Sequence, residues 1–286
     1  MEVCKTLFLM DTLSRTLTFV FLVTAMLSVG MQTTARDLRS LLESKGWLLS
    51  ALLANFVVVP IVGIVLARTS SLKPEVLAAF LLLACTPGGI NALQFTTKIK
   101  GESSLAGSMA FLMCFLAVFL SPVLLKLAVP GDVEVVIPYG RALLFTLVFL
   151  LGPLVVGLLV RSRRHRLAEK LSKPCAIVST IVFFVVLILT IDLKKEAIHT
   201  VGKEAIVWML LFIVISMVVG WLMGGPARET RPLLATVTGM RNIAICLLIA
   251  RETFPHLAVQ TPLVALSALM LPPNMLLTAY TAIRWR

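Results

Sequence analysis

Apolar runs of about 18 residues or more, the length that reads as a membrane-spanning helix, recur along the whole chain. Short polar and charged stretches separate them. The pattern predicts nine spans, at roughly 16–34, 46–68, 76–97, 103–128, 139–161, 173–193, 204–225, 231–250 and 258–283. Short connections make neighbouring spans antiparallel. The expected fold is an all-α polytopic membrane protein, one transmembrane unit over residues 1–286 with no soluble domain.

Two spans depart from the plain apolar pattern. Span three reads "AAFLLLACTPGGINALQFTTKIKG". Pro87 removes a backbone donor, and Gly88 and Gly89 are poor helix formers. The polar residues Asn91, Gln94, Thr96 and Thr97 follow directly. Span eight, "LLATVTGMRNIAICLLIA", has a matching polar break at Thr236, Thr238, Gly239, Arg241 and Asn242. Spans three and eight run in opposite directions, the arrangement of an inverted-repeat transporter whose broken helices cross near the midplane. Unpaired backbone at that depth is tolerated only against protein or a watery cavity. The plainer alternative for each break is a structural kink.

Composition agrees with the membrane reading. The chain is 59% hydrophobic and 14% charged, against about a quarter charged in soluble domains. The net charge of +12 would suit nucleic acid, but the cations lie between apolar runs, where they set topology. The connections after spans one, three, five and seven, with the C-terminus, carry Arg36, Arg39, Lys45, Lys98, Lys100, Arg161, Arg163, Arg164, Arg166, Lys170, Lys173, Arg228, Arg231, Arg284 and Arg286, fifteen cations against ten opposite. The densest block, "RSRRHRLAEK", reads as a cytoplasmic anchor. The expected topology is a multi-pass protein of the plasma (inner) membrane, N-terminus outside and C-terminus cytoplasmic. Trp47, Trp221 and Trp285 fall near span ends, where indoles favour the interface. The opening "MEVCKTLFLMD" shows no cleavable signal. Cys85, Cys114 and Cys246 fall inside apolar spans and read as buried small residues. His165, His199 and His256 lie outside the spans, and no serine has a base at its depth. The expectation is therefore no enzyme, no catalytic residues, no cofactor and no nucleic-acid partner.

The segments "CTPGGINALQFTTKIKGESSLAGS" and "TGMRNIAICLLIA", with "MLSVGMQTTARDL" and "ANFVVVP", give the chain a resemblance to the bile acid:sodium symporter family. The similarity runs in order over nearly the whole chain. With fifteen residues before its first matching span, the chain resembles the nine-helix members. The resemblance implies core and panel domains, here core spans about 46–128 and 173–250 and panel spans about 16–34, 139–161 and 258–283. It implies alternating-access transport of small organic anions, commonly coupled to sodium, with the substrate in the cleft beside the crossing helices. It places Asn91, Gln94, Thr238, Arg241, Asn242 and Asn274 near the substrate and makes Pro87, Gly88, Gly89 and Gly239 the structural crossover.

The sequence departs from the family at the sodium ligands. In the register set by Pro87–Gly89 and Gly101, the family's Ser-Asn pair falls on Ala92 and Leu93, and its next two hydroxyl ligands fall on Ala106 and Ala110. A two-residue gap puts Asn91 on the asparagine instead. The acidic ligand falls on Val237 and the following glutamine on Arg241; the second span's glutamine becomes Asn55. All fourteen acidic residues fall in connections or near span ends, so no carboxylate replaces the lost one. Asn55 and Thr236 remain as a weak sodium site at most, and coupling to sodium stays open. Arg241 has three readings. It substitutes for the sodium charge at the half-helix carbonyl ends, it attracts the anionic substrate by two-point contact, or it snorkels. The function expected is a secondary carrier of organic anions, with a sodium-independent uniporter or exchanger of organic acids as the rival. A non-transporting membrane receptor or scaffold is the alternative of another class.

Overall fold

The structure, a computed structural model, describes residues 2–88, 103–129, 144, 147–193, 195–254 and 258–284. Thirteen α-helices make up the described chain, and no strand occurs among these residues. They are α1 (Glu2–Gln32), α2 (Ala35–Glu43), α3 (Lys45–Leu53), α4 (Val59–Thr69), α5 (Pro74–Cys85), α6 (Ser103–Ala128), α7 (Gly152–Arg163), α8 (His165–Leu193), α9 (Lys195–Met223), α10 (Thr230–Gly239), α11 (Ile243–Thr253), α12 (Gln260–Ala268) and α13 (Leu271–Arg284). Wide π-turns at Ala54–Val58 and Leu147–Leu151 lead into α4 and α7. Each lies just before a proline, Pro60 and Pro153, whose missing donor loosens the preceding turn. Four described segments are long and apolar enough to cross a membrane: Lys45–Thr69, Ser108–Ala128, Val201–Met223 and Gln260–Arg284.

Three stretches differ from the sequence expectation. The connection after span one is not a loop: Ala35–Glu43 is a helix bent 75° from Phe19–Gln32. A capping box starts it, with Asp37 N donating to the Thr34 hydroxyl and Thr34 N to the Asp37 carboxylate. The basic block is not a loop either. It forms the end of α7 and the start of α8, with Arg164 alone between them. The last span carries a tightened turn between α12 and α13, where Leu269 N and Met270 N donate three residues back, because Pro272 and Pro273 supply no donors to continue the α-helical ladder.

The helices pack in two neighbourhoods. Helix α1 lies chiefly against α7 and α8. Gly30 and Gly157 make that approach, since a Cβ on Gly157 would sit 2.8 Å from Met31 N and 2.9 Å from Gly30 Cα. Such close backbone contact between small residues is how helices associate where lipid gives no hydrophobic drive. The Ser28 hydroxyl donates to the Ser172 carbonyl at 2.9 Å, tying α1 to α8. In the other neighbourhood α5 packs on α4, α11 and α12, and α9 packs on α10 and α4. Span 173–193, expected with the core, thus lies on α1 and α7. Span 258–283, expected with the panel, lies chiefly on α5, α9 and α11, with smaller contacts to α10 and α8.

Candidate functional site

Helix α5 stops at Cys85 because Thr86 precedes a proline. That position is pushed out of the helical region, and Thr86 is extended at φ −106, ψ 117. The last carbonyls of α5 therefore have no partner within the helix, and they form its negative end. The second break follows Gly239, where Met240 is extended at φ −102, ψ 123. Asn242 starts the next helix, its side-chain oxygen accepting from Ile245 N at 3.3 Å. Thr238 and Gly239, expected inside the break, end α10 instead, leaving Met240, Arg241 and Asn242 outside helix.

The two breaks touch. A Cβ on Gly88 would overlap the Val237 carbonyl and lie 2.8 Å from Met240 O. Only glycine allows the first break to approach the second so closely. Arg241 then reaches back across the contact to the end of α5. Its Nε donates to Leu83 O at 3.1 Å, one terminal nitrogen to Ala84 O at 3.1 Å and the other to Asn55 Oδ1 at 3.3 Å. Leu82 O accepts instead from the Thr86 hydroxyl at 2.7 Å and the Cys246 thiol at 3.5 Å. The Phe212 ring lies 5.7 Å from the guanidinium carbon, within cation–π range, and packs in turn on Phe80.

Arg241 is 0% exposed and heads the fully buried side chains by size. No Asp or Glu is among the buried polar residues of the described chain. The positive charge is met by oriented dipoles: two helix-end carbonyls, one amide oxygen and one aromatic face. Asn55 is set for this by the π-turn. Its Nδ2 is satisfied by Ala51 O at 3.0 Å, and its oxygen also accepts from Gly88 N at 3.4 Å.

The other expected residues divide. Asn242 joins the cluster, its Nδ2 donating to the Cys114 thiol at 3.3 Å. Thr238 faces α9, bonding Leu234 O at 2.9 Å and packing where a Gly220 Cβ would be. Gly239 lies against Met217 and Asn274. Asn274 Nδ2 donates to Met270 O at 2.8 Å, and Met270 Sδ accepts from Arg241 N at 3.3 Å, so the turn between α12 and α13 adjoins the two breaks. Thr236 Oγ1 and Asn274 Oδ1 are buried without a partner. The expected pairing of Asn55 with Thr236 meets an obstacle, since the Asn55 oxygen already serves Arg241. Gly89, Asn91 and Gln94 lie outside the described residues. Cys85, Cys114 and Cys246 are buried and make no disulfide.

Sequence reasoning missed Leu83, Ala84, Phe212 and Met270. The first two act through carbonyls, which every residue has. The "CTPGG" stop signal marked where a helix would end, and so which carbonyls would be left over. For Phe212 and Met270 no sequence signal existed.

Comparison with known proteins places this geometry. The profile of the Sodium Bile acid symporter family matches residues 19–218, which includes the first break and ends before Arg241. The human hepatic sodium/bile acid cotransporter is 26% identical over 241 residues, covering 80% of this chain and 68% of that one. The probable sodium/metabolite cotransporter BASS2, chloroplastic, of Oryza sativa subsp. japonica is 26% identical over 240 residues, 83% of this chain and 57% of its own. The uncharacterized sodium-dependent transporter YocS of Bacillus subtilis (strain 168) is 22% identical over 242 residues, covering 84% and 75%. The chain belongs to the sodium bile acid symporter family, a family of integral membrane transporters and not of enzymes.

Proposed function

We propose that this protein is a secondary carrier of small organic anions in which Arg241 stands where a coupling sodium ion would bind. The observation that carries the reading is the buried guanidinium on Leu83 O, Ala84 O and Asn55 Oδ1. These are the hard oxygen donors a sodium ion would seek, and the side chain already holds them with a fixed charge. A sodium ion about 4 Å away would meet a repulsion of about 4 kcal/mol at an effective dielectric of 20, roughly a thousandfold in affinity. With Val237 in place of a carboxylate, no buried Asp or Glu among the described residues offsets that repulsion. The substrate class rests on the names of relatives, among them the human sodium-dependent organic anion transporter.

Alternating access is supported by the packing. Helices α1, α7 and α8 are bound to one another through Gly30, Gly157 and Ser28. They form a natural panel against which the crossing helices can move. The substrate side of the crossover is then assigned to Asn91, Gln94, Asn242 and Asn274, while Thr238 packs on Gly220 of α9. Arg241 is directed at protein oxygens and acts on the substrate through its field. One observation favours a second reading: the orphaned oxygens of Thr236 and Asn274 are neutral donors that a weakly held cation could use, which would keep sodium coupling.

The test is uptake of a panel of organic acids into proteoliposomes, with a sodium gradient and with choline replacing sodium. Uptake that persists in choline supports the reading. Uptake abolished by choline refutes the substitution of arginine for sodium and favours the second reading. No uptake of any anion in either buffer refutes transport.

A further inference from the structure

The basic block has a placement that topology alone does not require. On α8, Arg166, Lys170, Lys173, Ile177 and Ile181 recur at spacings of four, three, four and four residues, so they lie on one face of the helix. Ile177 and Ile181 are 58% and 56% exposed. The opposite face carries Ala168, Ser172 and Ser179, all buried, and Ser172 is where Ser28 of α1 docks. The stripe therefore points away from the protein, cationic for two turns and apolar beyond.

Its charge is uncompensated. Glu169 is the nearby carboxylate, and it is engaged with Arg161 at 3.6 Å and His165 at 3.0 Å. Arg166, Lys170 and Lys173 have no ion-pair partner among the described residues. Arg163 on α7 adds a further exposed cation above the exposed Val156 and Leu159. At about 1.5 Å of rise per residue, Ile181 lies about 12 Å from Lys173 along the axis. That is close to the depth of one leaflet's acyl region, about half of a 30 Å hydrocarbon core.

We propose that this face of α8, with the end of α7, seats an anionic phospholipid: the phosphate on Arg166, Lys170 and Lys173, the acyl chain along Ile177 and Ile181. Charge complementarity selects the occupant. A zwitterionic headgroup brings its own cation to a surface that already has unpaired cations, and a free anion leaves the apolar half uncovered.

The experiment is native mass spectrometry of the detergent-solubilised protein titrated with phosphatidylglycerol or phosphatidylcholine. A basic residue near an anionic surface contributes about fivefold in affinity. The triple substitution Arg166→Gln, Lys170→Gln, Lys173→Gln should thus weaken phosphatidylglycerol binding on the order of a hundredfold. A control removing equal charge from the same end of the molecule, Arg36→Gln, Arg39→Gln, Lys45→Gln, should change it by less than about threefold, because those cations lie off the stripe. Lys170→Gln alone should cost about fivefold and serves where the triple does not fold. Inorganic phosphate at millimolar concentration should compete weakly, since it cannot use Ile177 and Ile181. Equal loss in both triples would reduce the block to bulk charge and overturn the proposal. So would wild-type binding in the stripe variants, phosphatidylcholine binding as tightly as phosphatidylglycerol, or full displacement by phosphate.

Discussion

Replacing Arg241 by glutamine removes the fixed cation but keeps an amide donor. The glutamine Nε2 sits the same number of bonds from the backbone as the arginine Nε, so it can reach Leu83 O. It cannot reach the two acceptors held by the terminal nitrogens, Ala84 O and Asn55 Oδ1. Asn55 Oδ1 keeps Gly88 N as a donor, so only Ala84 O is orphaned, at a cost of about 1–3 kcal/mol. Loss of the buried charge returns part of its desolvation, which places the net cost in the lower half of that range. A shift of about 2 °C per kcal/mol, the lower end for large chains, makes the expected fall in apparent Tm about 2–4 °C. Arg241→Met orphans both helix-end carbonyls at the same side-chain charge as glutamine, so it should fall further, by about 1–3 kcal/mol for the Leu83 carbonyl. Thermal unfolding of the detergent-purified protein can be followed with a thiol-reactive dye, since Cys85, Cys114 and Cys246 are buried in the folded state and make no disulfide. Scan rate and detergent must be held constant, because unfolding of such proteins is commonly irreversible. A methionine variant as stable as the parent would mean that the carbonyl end of α5 does not depend on the guanidinium, and the substitution argument would fail with it.

The same glutamine variant should gain a sodium-dependent rise in Tm absent from the parent, because removing the cation frees Ala84 O and Asn55 Oδ1 as ligands; identical curves in sodium and choline would refute this. Gly88→Ala should prevent stable folding, since its Cβ overlaps the Val237 carbonyl, while Gly46→Ala, with nothing within 4 Å, should be neutral or stabilise by up to about 1 kcal/mol; expression and Tm of the two compare them directly. A cysteine replacing the exposed His165 should resist impermeant maleimide in intact cells and react after permeabilisation; labelling from outside would reverse the topology. Gly157→Leu should separate α7 from α1, where even a Cβ would lie 2.8 Å from Met31 N, and should abolish transport together with monodispersity on size exclusion.

Local sequence alone determined that α5 stops before Pro87. Pro87 acts through its own backbone chemistry: a missing donor and a disallowed helical φ/ψ at the residue before it. These effects reach only a few residues, so they are legible in a linear string. The odd placement of Arg241 in an apolar run was legible for the same reason. The partners of that arginine were not. Leu83 and Ala84 contribute carbonyls that no residue name announces, Phe212 is one of fifteen phenylalanines, and all lie far from Arg241 in sequence. Which neighbourhood a span joins was equally hidden: span 173–193 is as apolar as a core span, and its place on α1 comes from the Ser28–Ser172 contact and the Gly30–Gly157 crossing beside it. Helix–helix contact in a membrane turns on shape and on small residues meeting across the gap, a property of two surfaces together that only the tertiary structure decides.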